Sequence, residues 1–308
     1  MLDAGSVFTK ETEAAKTLPF PYNKQSFCFY EPIEKRIEHA KVLIVNDCLR
    51  YETDLSDLAH KEWNGSTETK LRFENKISAM ACNNIANNVL RLVQQPKTLT
   101  VHLSEVAEAA ESFNPDAIVM SGTLTDFDYY NQAHLDKFAN FIRTTKFPVL
   151  AICGAHQLVG VSFGSKLKTL DKLEPSEKRT NRVVEYQYRF IKIVDDTDPI
   201  FDGITNTESG IWQQYTTQDD ILRVWQNHGL QVADVPKGFK LLATAYLCKN
   251  QMMVKCTEGQ MIYAVQFHLE KSFEDWSTNP TRWQHVHESR DGRILFENFL
   301  NLALEHKK

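Results

Sequence analysis

Short apolar runs alternate with amphipathic stretches through the first half of the chain. Four runs have the pattern of buried strands: KVLIVND, TLTVHL, DAIVMSG and FPVLAIC, which begin at residues 41, 98, 116 and 147. Between them, the stretches 71–95, 107–113 and 133–145 carry apolar residues at helical spacing. Apolar strands that alternate with helices predict a parallel sheet that is covered on both faces.

The second half of the chain predicts a different kind of sheet. Short strand-like pieces separated by turns begin at residues 182, 221, 240, 251 and 261, and an amphipathic helix follows from residue 292. This pattern suits an antiparallel extension of the sheet. The predicted fold class is therefore α/β, with a mostly parallel central sheet, helices on both faces and an antiparallel extension.

The chain predicts one domain with an extension in front of it. Three prolines break up residues 1–40, which we interpret as an N-terminal extension that covers the surface or meets a partner. No linker-like composition divides residues 41–308, so we predict a single domain there.

Composition argues against several kinds of partner and identifies none. The 308 residues carry a net charge of −5, which gives no reason to expect nucleic acid or an anionic membrane as a partner. No apolar run reaches the length of about 18 residues that suggests a membrane span. The six cysteines include no CxxC pair, so we expect no metal site, no cofactor and a reducing, cytoplasmic setting.

The candidate nucleophile lies where the strand FPVLAIC gives way to Gly154 and Ala155. A strand, a tight turn of small residues and a helix are typical of a nucleophile elbow, with Cys153 at its tip. A buried cysteine that serves only as a small core residue is the alternative. Ligands of parallel sheets bind beyond the carboxyl ends of the strands. Cys153 and Gly122 both have that position, which favours the elbow.

A nucleophilic cysteine needs a base, and a third group normally orients that base. His268 ends a predicted strand, and Glu270 follows two residues later on the same side of an extended segment. Glu270 could therefore fix the imidazole, although a strand-end histidine with a solvated glutamate gives the same pattern. The N–H of Gly154 and an N–H of Gly122 or Thr123 are candidate oxyanion donors.

Four segments together resemble the class I glutamine amidotransferases of the triad (Cys-His-Glu) type. They are PVLAICGAHQLVGVSFGSKL, WQNHGLQVADVPKGFKLLATA, IYAVQFHLEKS and DGRILFENFLNLA, and they follow the order of that family. The resemblance covers about residues 41–303 and implies a flavodoxin-like sheet. Four positions depart from the family's usual pattern. Ala151 and Ala155 stand where the elbow usually has glycines, Leu124 stands where a second glycine is common in the oxyanion loop, and Leu269 stands in place of a proline.

The resemblance implies a role for each candidate residue. Cys153 is expected to attack the side-chain amide of glutamine, His268 to pass a proton to the leaving ammonia, and Glu270 to orient His268. Gly122 and Gly154 are expected to hold the oxyanion. The remaining candidates are expected to contact the substrate: Thr123, Gln157, Asn227, His228 and Gly229.

Three functions fit this reading. The first, which we expect, is a stand-alone glutaminase that delivers ammonia from L-glutamine to a separate synthase protein, because no synthase domain is evident in the chain. The second is a self-sufficient hydrolase of γ-glutamyl amides or peptides, which the altered SGTLTD loop favours. The third is a catalytically silent scaffold, and an intact Cys153, His268 and Glu270 argue against it.

Overall fold

The computed structural model describes residues 34–204, 220–257, 259–273 and 290–307. Most of the predicted N-terminal extension, residues 1–40, lies outside the described residues. The described part of the chain contains six α-helices and eleven strands in this order: β1 (Ile37–Asn46), α1 (Asp57–Glu62), α2 (Thr67–Leu92), β2 (Val93–His102), α3 (Val106–Phe113), β3 (Ala117–Met120), α4 (Gln132–Thr144), β4 (Val149–Ile152), α5 (Gly154–Ser162), β5 (Leu167–Thr169), β6 (Glu185–Ile193), β7 (Ile221–His228), β8 (Leu230–Val232), β9 (Lys240–Thr244), β10 (Met252–Thr257), β11 (Gln260–Val265) and α6 (Arg290–His306).

Within these ranges, nine strands form one mixed sheet in the order β2-β1-β3-β4-β11-β10-β9-β6-β7. The five strands from β2 to β11 are parallel. Each later neighbour pairs antiparallel. The predicted parallel sheet with an antiparallel extension is therefore confirmed. A separate two-stranded sheet of β5 and β8, which the sequence does not predict, lies beside it.

Helices cover both faces of the sheet, as predicted, because successive strand residues point to opposite faces. In β1, Val42 and Ile44 belong to one apolar core, and Leu43 and Val45 belong to the other. The first core contains the buried sides of α2 and α6. The second contains those of α3, α4 and α5. The two cores fix the sheet between its helical layers.

Helix α4 shows how the local sequence produces this packing. Asn131 precedes the helix, and its side-chain oxygen accepts a hydrogen bond from the backbone N–H of Ala133 at 3.0 Å. Leu135, Phe138 and Ile142 then recur on one face and are buried. Each such side chain contributes about 1.5–3 kcal/mol when it is fully buried. The cap and the apolar stripe together set where the helix begins and which face it buries.

Helix α2 and strand β2 differ from the predicted boundaries. The helix begins at Thr67, earlier than the apolar spacing suggests, and Met80 from that spacing is 42% exposed. Strand β2 begins at Val93 directly after the helix, although its first half is polar and exposed. An edge strand that pairs only with β1 does not need an apolar pattern, so hydrophobicity alone missed its start.

The carboxyl ends of β1, β3 and β4 meet at one edge of the sheet. The backbone N–H of Asp47, after β1, donates to Ser121 Oγ, after β3, at 3.1 Å. Cys153 follows β4 at the same edge. In the described ranges no helix is both long and apolar enough to cross a bilayer.

Candidate active site

Cys153 occupies the turn between β4 and α5 in an unusual backbone conformation. Its φ is 52° and its ψ is −103°, which an L-residue with a side chain rarely adopts. The turn is held by a hydrogen bond from the Cys153 N–H to the carbonyl of Val265, at 2.7 Å. Such strain persists only when the surrounding structure enforces it, and it is common at active sites.

Gly154 allows the loop after β3 to pack directly against this turn. A Cβ atom at position 154 would lie only 2.5 Å from the backbone nitrogen of Thr123. Gly122 is similarly confined, because a Cβ there would lie 3.3 Å from Cys153 Cβ and 3.2 Å from His268 Cε1. The absence of side chains at these two glycines brings the backbone of the SGTLTD loop next to the thiol.

His268 and Glu270 complete the arrangement from the other side of Cys153. His268 Nδ1 lies 2.7 Å from Glu270 Oε1, and Glu270 is 2% exposed. The backbone N–H of His268 donates to the carbonyl of Trp225 at 2.8 Å, which fixes the segment to β7. Since Glu270 engages Nδ1, the other ring nitrogen, Nε2, is left to interact with Cys153.

The surroundings of His268 favour its protonated form. Burial by itself lowers the pKa of this imidazole, but the charge of Glu270 and then that of the Cys153 thiolate outweigh burial and raise the pKa to about 10. The imidazolium is thus the dominant form at neutral pH.

The carbonyl of Gly122 is held on the side of the loop away from Gly154. It accepts hydrogen bonds from Cys48 Sγ at 3.5 Å and from Ser121 Oγ at 3.2 Å. In a trans peptide the carbonyl and the following N–H point in opposite directions, so the Thr123 N–H points away from Cys48. The Thr123 nitrogen, like its side-chain oxygen, packs against Gly154.

A strained cysteine, a histidine and a carboxylate in this sheet position invite comparison with known proteins. A family model described as glutamine amidotransferase class-I matches residues 79–287, which is more than half of the chain. The chain belongs to the class I glutamine amidotransferase family. The predicted class of enzyme, an amidotransferase-type amide hydrolase with a cysteine nucleophile, is confirmed by this membership.

Relatives of the chain carry more specific names. It is 32% identical over 199 residues to a glutamine-hydrolyzing GMP synthase subunit of Thermococcus kodakarensis, covering 64% of this chain and 81% of that one. It is 25% identical over 224 residues to the corresponding protein of Methanothermobacter thermautotrophicus, covering 72% and 92%. Longer GMP synthases also match, and the chain spans 25% of the one from Clostridium novyi.

A solved structure shows the same fold. The crystal structure of a protein from Thermoplasma acidophilum, assigned as a GMP synthase subunit, superposes with a TM-score of 0.52 at 18% identity. The match covers 88% of this chain and 97% of that one. The mixed sheet with helices on both faces is therefore the architecture of a class I glutamine amidotransferase.

In this amidotransferase, the segment from Asn227 to Gly229 forms one wall beside the thiol. The Asn227 carbonyl lies 3.9 Å from Cys153 Sγ, and Asn227 is exposed. A Cβ on Gly229 would lie 3.3 Å from the carbonyl of Val183, so this position is also tight. The side chain of His228 is buried and bonded to the carbonyl of Leu230, so only its backbone belongs to this wall.

Gln157 connects this wall to the active-site cysteine. Its Nε2 donates to the carbonyl of Leu230 and to Gln266 Oε1, both at 3.2 Å. Its backbone N–H donates to the carbonyl of Cys153 at 3.1 Å. The structure thus brings all the candidate residues of the sequence together, with Gln157 bracing the wall from α5.

Sequence reasoning assigned no role to Gln266, although it lies in the QFHLE block. Its Nε2 donates to Cys153 Sγ at 3.6 Å, and the residue is completely buried. Asn88 of α2 was also missed, and its Nδ2 donates to the carbonyl of Glu270 at 2.7 Å. Proximity within the motif could have suggested Gln266, whereas no local pattern connects residue 88 with residue 270.

Proposed function

We propose that the chain is a glutaminase that hydrolyses the side-chain amide of L-glutamine through a Cys153 thioester and delivers ammonia to a separate synthase. The observation that carries the proposal is the Cys153 thiol, held at a strained turn beside His268, whose Nδ1 lies 2.7 Å from Glu270. This is the arrangement of a nucleophile, a base and an orienting carboxylate.

In the acylation step, the Cys153 thiolate attacks the side-chain carbonyl carbon of glutamine. A C–S bond forms, and negative charge develops on the carbonyl oxygen. The backbone N–H groups of Gly154 and of the Gly122–Thr123 segment are the proposed donors to this oxyanion, because both border the thiol. Donors fixed in advance by the fold stabilise the charge without reorganisation.

In the steps that follow, the proton on His268 is transferred to the departing nitrogen. Because its pKa is raised to about 10, the imidazole holds this proton at neutral pH. The C–N bond breaks and ammonia leaves. Neutral His268 then accepts a proton from the water that attacks the thioester, which releases glutamate and restores the thiolate and imidazolium.

The pocket and the partner are proposed on different grounds. Thr123, Gln157 and the backbone from Asn227 to Gly229 are proposed to contact the substrate glutamine. Thr123 packs against the turn that carries Cys153, the Gln157 N–H donates to the Cys153 carbonyl, and the Asn227 carbonyl lies 3.9 Å from the thiol. The separate synthase is supported by the archaeal relatives, whose names describe glutamine-hydrolyzing subunits of GMP synthase.

The test is the release of ammonia and glutamate from L-glutamine by the full chain. Cys153→Ala should abolish release, whereas Cys256→Ala should not, because Cys256 is an exposed thiol on β10. Release by Cys153→Ala at the wild-type rate would overturn the proposal. A slow wild-type rate that rises with an added synthase would support the ammonia-delivery part.

A cleft beside the SGTLTD loop supports a second candidate, a self-sufficient hydrolase of γ-glutamyl amides. The cleft has a volume of about 550 Å³. It is lined by Trp63, Phe73, Leu124 and Tyr129, with cationic side chains at Lys70, Arg179 and Arg182. Leu124 follows directly on Gly122 and Thr123, so a group attached to the substrate nitrogen could extend from the thiol into this aromatic space.

Substrate size separates the two candidates. If the chain is a self-sufficient hydrolase, it should cleave a γ-glutamyl amide with an aromatic leaving group faster than it cleaves glutamine. Phe73→Ala should then slow the larger amide and leave glutamine turnover unchanged, because Phe73 lines the cleft and is 53% exposed. Equal effects on both substrates would exclude the cleft as a leaving-group site.

A further inference from the structure

Three side chains with metal-binding donors meet behind the wall of the glutamine pocket. Glu185 begins β6, His228 ends β7, and Cys248 lies between β9 and β10. One donor atom from each lies within 4.8 Å of the other two. The residues are 7%, 5% and 0% exposed, respectively. None of these side chains takes part in the proposed catalytic steps.

The imidazole of His228 is oriented as a metal ligand would be. Its Nδ1 lies 2.9 Å from the carbonyl of Leu230, to which it donates, so the neutral ring presents a lone pair at Nε2. A hydrogen bond from the second ring nitrogen to a carbonyl is the usual way in which proteins fix a metal-binding histidine.

The contact between Nε2 and Glu185 is close but badly directed for a hydrogen bond. Glu185 Oε2 lies 3.0 Å from His228 Nε2. Even so, Nε2 has no hydrogen-bond partner with acceptable geometry in the described part of the chain. The lone pairs of His228 Nε2 and Glu185 Oε2 can therefore both point to a third position between them. A bound cation would occupy that position.

The other two candidate ligands are also held in place. Gln251 Nε2 donates to Glu185 Oε2 at 2.9 Å, and Gln226 Nε2 donates to Gln251 Oε1 at 2.9 Å. Cys248 Sγ lies 3.4 Å from the carbonyl of Asn250.

We propose that Glu185, His228 and Cys248 form a Zn²⁺ site. A thiolate, an imidazole and a carboxylate are the ligands that Zn²⁺ takes in proteins, whereas Mg²⁺ and Ca²⁺ prefer oxygen ligands alone. On binding, an S–Zn bond forms and the Cys248 proton passes to solvent. The two positive charges of the ion are then balanced by the thiolate and the carboxylate, and water supplies a further ligand.

The site has a direct structural consequence for the pocket wall. His228 lies between Asn227, whose carbonyl faces Cys153, and the tight position Gly229. A cation that fixes the His228 side chain therefore fixes the backbone on either side of it. The metal site itself does not depend on the proposed glutaminase function.

Cobalt absorption tests the ligands directly. The full chain, stripped of metal by a chelator, should bind one Co²⁺ with a thiolate-to-metal charge-transfer band, and one equivalent of Zn²⁺ should displace it. Cys248→Ser should lose the band. Cys256→Ser and Cys153→Ser should keep it, which excludes the exposed thiol and the active-site thiol. No band in the wild type, or a band that persists in Cys248→Ser, would overturn the proposal.

A second measurement, the thermal unfolding temperature, tests the metal site without Cys248→Ser, in case that variant does not fold. Zn²⁺ should raise the unfolding temperature of the metal-free wild type, because a ligand of the native state stabilises it. The near-isosteric Glu185→Gln should show a clearly smaller shift, whereas Cys256→Ser should show the wild-type shift. Equal shifts in Glu185→Gln and the wild type would contradict the assignment.

Discussion

At the scale of single residues, the charge of Glu270 controls the proton on His268. Replacement by Gln keeps the shape of the side chain but removes the first of the influences that raise this pKa. We therefore predict that the imidazole of Glu270→Gln titrates well below the value of about 10 in the wild type. NMR titration of the histidine signals measures this pKa. His306→Gln identifies the signal of one exposed histidine, which serves as a reference. An unchanged pKa would contradict the role of Glu270.

The same shift predicts a pH dependence of stability. An unfolded histidine has a pKa of about 6.5. The folded value is about 10, so folded His268 holds a proton that the unfolded chain releases between these values. Its contribution to stability is complete below about pH 6.5 and is lost as pH rises toward 10. Glu270→Gln should flatten this part of the stability curve, measured by urea unfolding.

Asp47 carries a second buried proton. The residue is fully buried, and neither carboxylate oxygen has a hydrogen-bond partner among the described residues. Burial raises the pKa of this carboxyl well above its usual range. The folded protein therefore holds a proton that the unfolded chain releases above about pH 4.

Asp47→Asn should become more stable than the wild type as pH rises. The difference in free energy of unfolding between Asp47→Asn and the wild type should grow by about 1.4 kcal/mol per pH unit above pH 4, until the carboxyl of folded wild type ionises. Urea unfolding at a series of pH values measures it. The exposed Asp234→Asn should show no such trend. A constant difference between wild type and Asp47→Asn would mean that Asp47 is ionised in the fold.

Some of these residues could be found from the sequence and others could not. Cys153, His268 and Glu270 lie in short segments where residue type and local spacing carry the signal. Gln266 was passed over because a glutamine at the end of a strand has no chemistry of its own. The cluster of Glu185, His228 and Cys248 was missed, and a metal site was not expected, because its members come together only through strand pairing.

At the scale of elements, helix α2 supports the active site at two points. Asn88 Nδ2 binds the carbonyl of Glu270, and the Thr125 hydroxyl donates to the buried Glu74. The first contact reaches the backbone of Glu270, and the second reaches the SGTLTD loop. Helix α2 therefore braces both sides of the site.

Removing one of these contacts should be costly. Asn88→Ala leaves the Glu270 carbonyl buried without its 2.7 Å donor, and such a loss costs about 1–3 kcal/mol. Urea unfolding of the variant should show this decrease. The neighbouring Asn87 is exposed on the same helix, so Asn87→Ala should change stability little. Equal effects of the two substitutions would contradict the brace.

The sequence pattern locates some strands and misses others. The buried strands β3 and β4 could be located because both faces are covered and the sequence is apolar throughout. The start of β2 could not be located, because an exposed strand is set by its partner and not by its own hydrophobicity. The two-stranded sheet could not be located because each of its strands has only three residues, which is too short to show a pattern.

At the scale of the whole molecule, the candidate active site lies on fully buried strands of the sheet. All residues of β4 and β11 are buried, and these neighbours carry Cys153 and lead to His268. Strand β2 at the edge has mostly exposed residues. Local opening is easiest where few buried contacts hold a segment.

Hydrogen exchange should reflect this difference. Amides of β4 and β11 should exchange only through global unfolding, whereas those of β2 should exchange through smaller openings. Mass spectrometry of peptides covering residues 93–102, 149–152 and 260–265 compares them in one experiment. Protection of β2 equal to that of β4 would show that the sheet opens only as a unit.

The position of β11 also has a consequence for synthesis of the chain. Among the described strands it is the last in sequence, yet it lies in the middle of the sheet between β4 and β10. Until it leaves the ribosome, β4 keeps an unpaired edge beside the Cys153 turn, and strand edges of this kind promote aggregation. The same late segment leads to the imidazole. A nascent chain therefore closes its sheet and acquires its proposed catalytic base in one event, so we expect prematurely terminated products to be both aggregation-prone and inactive.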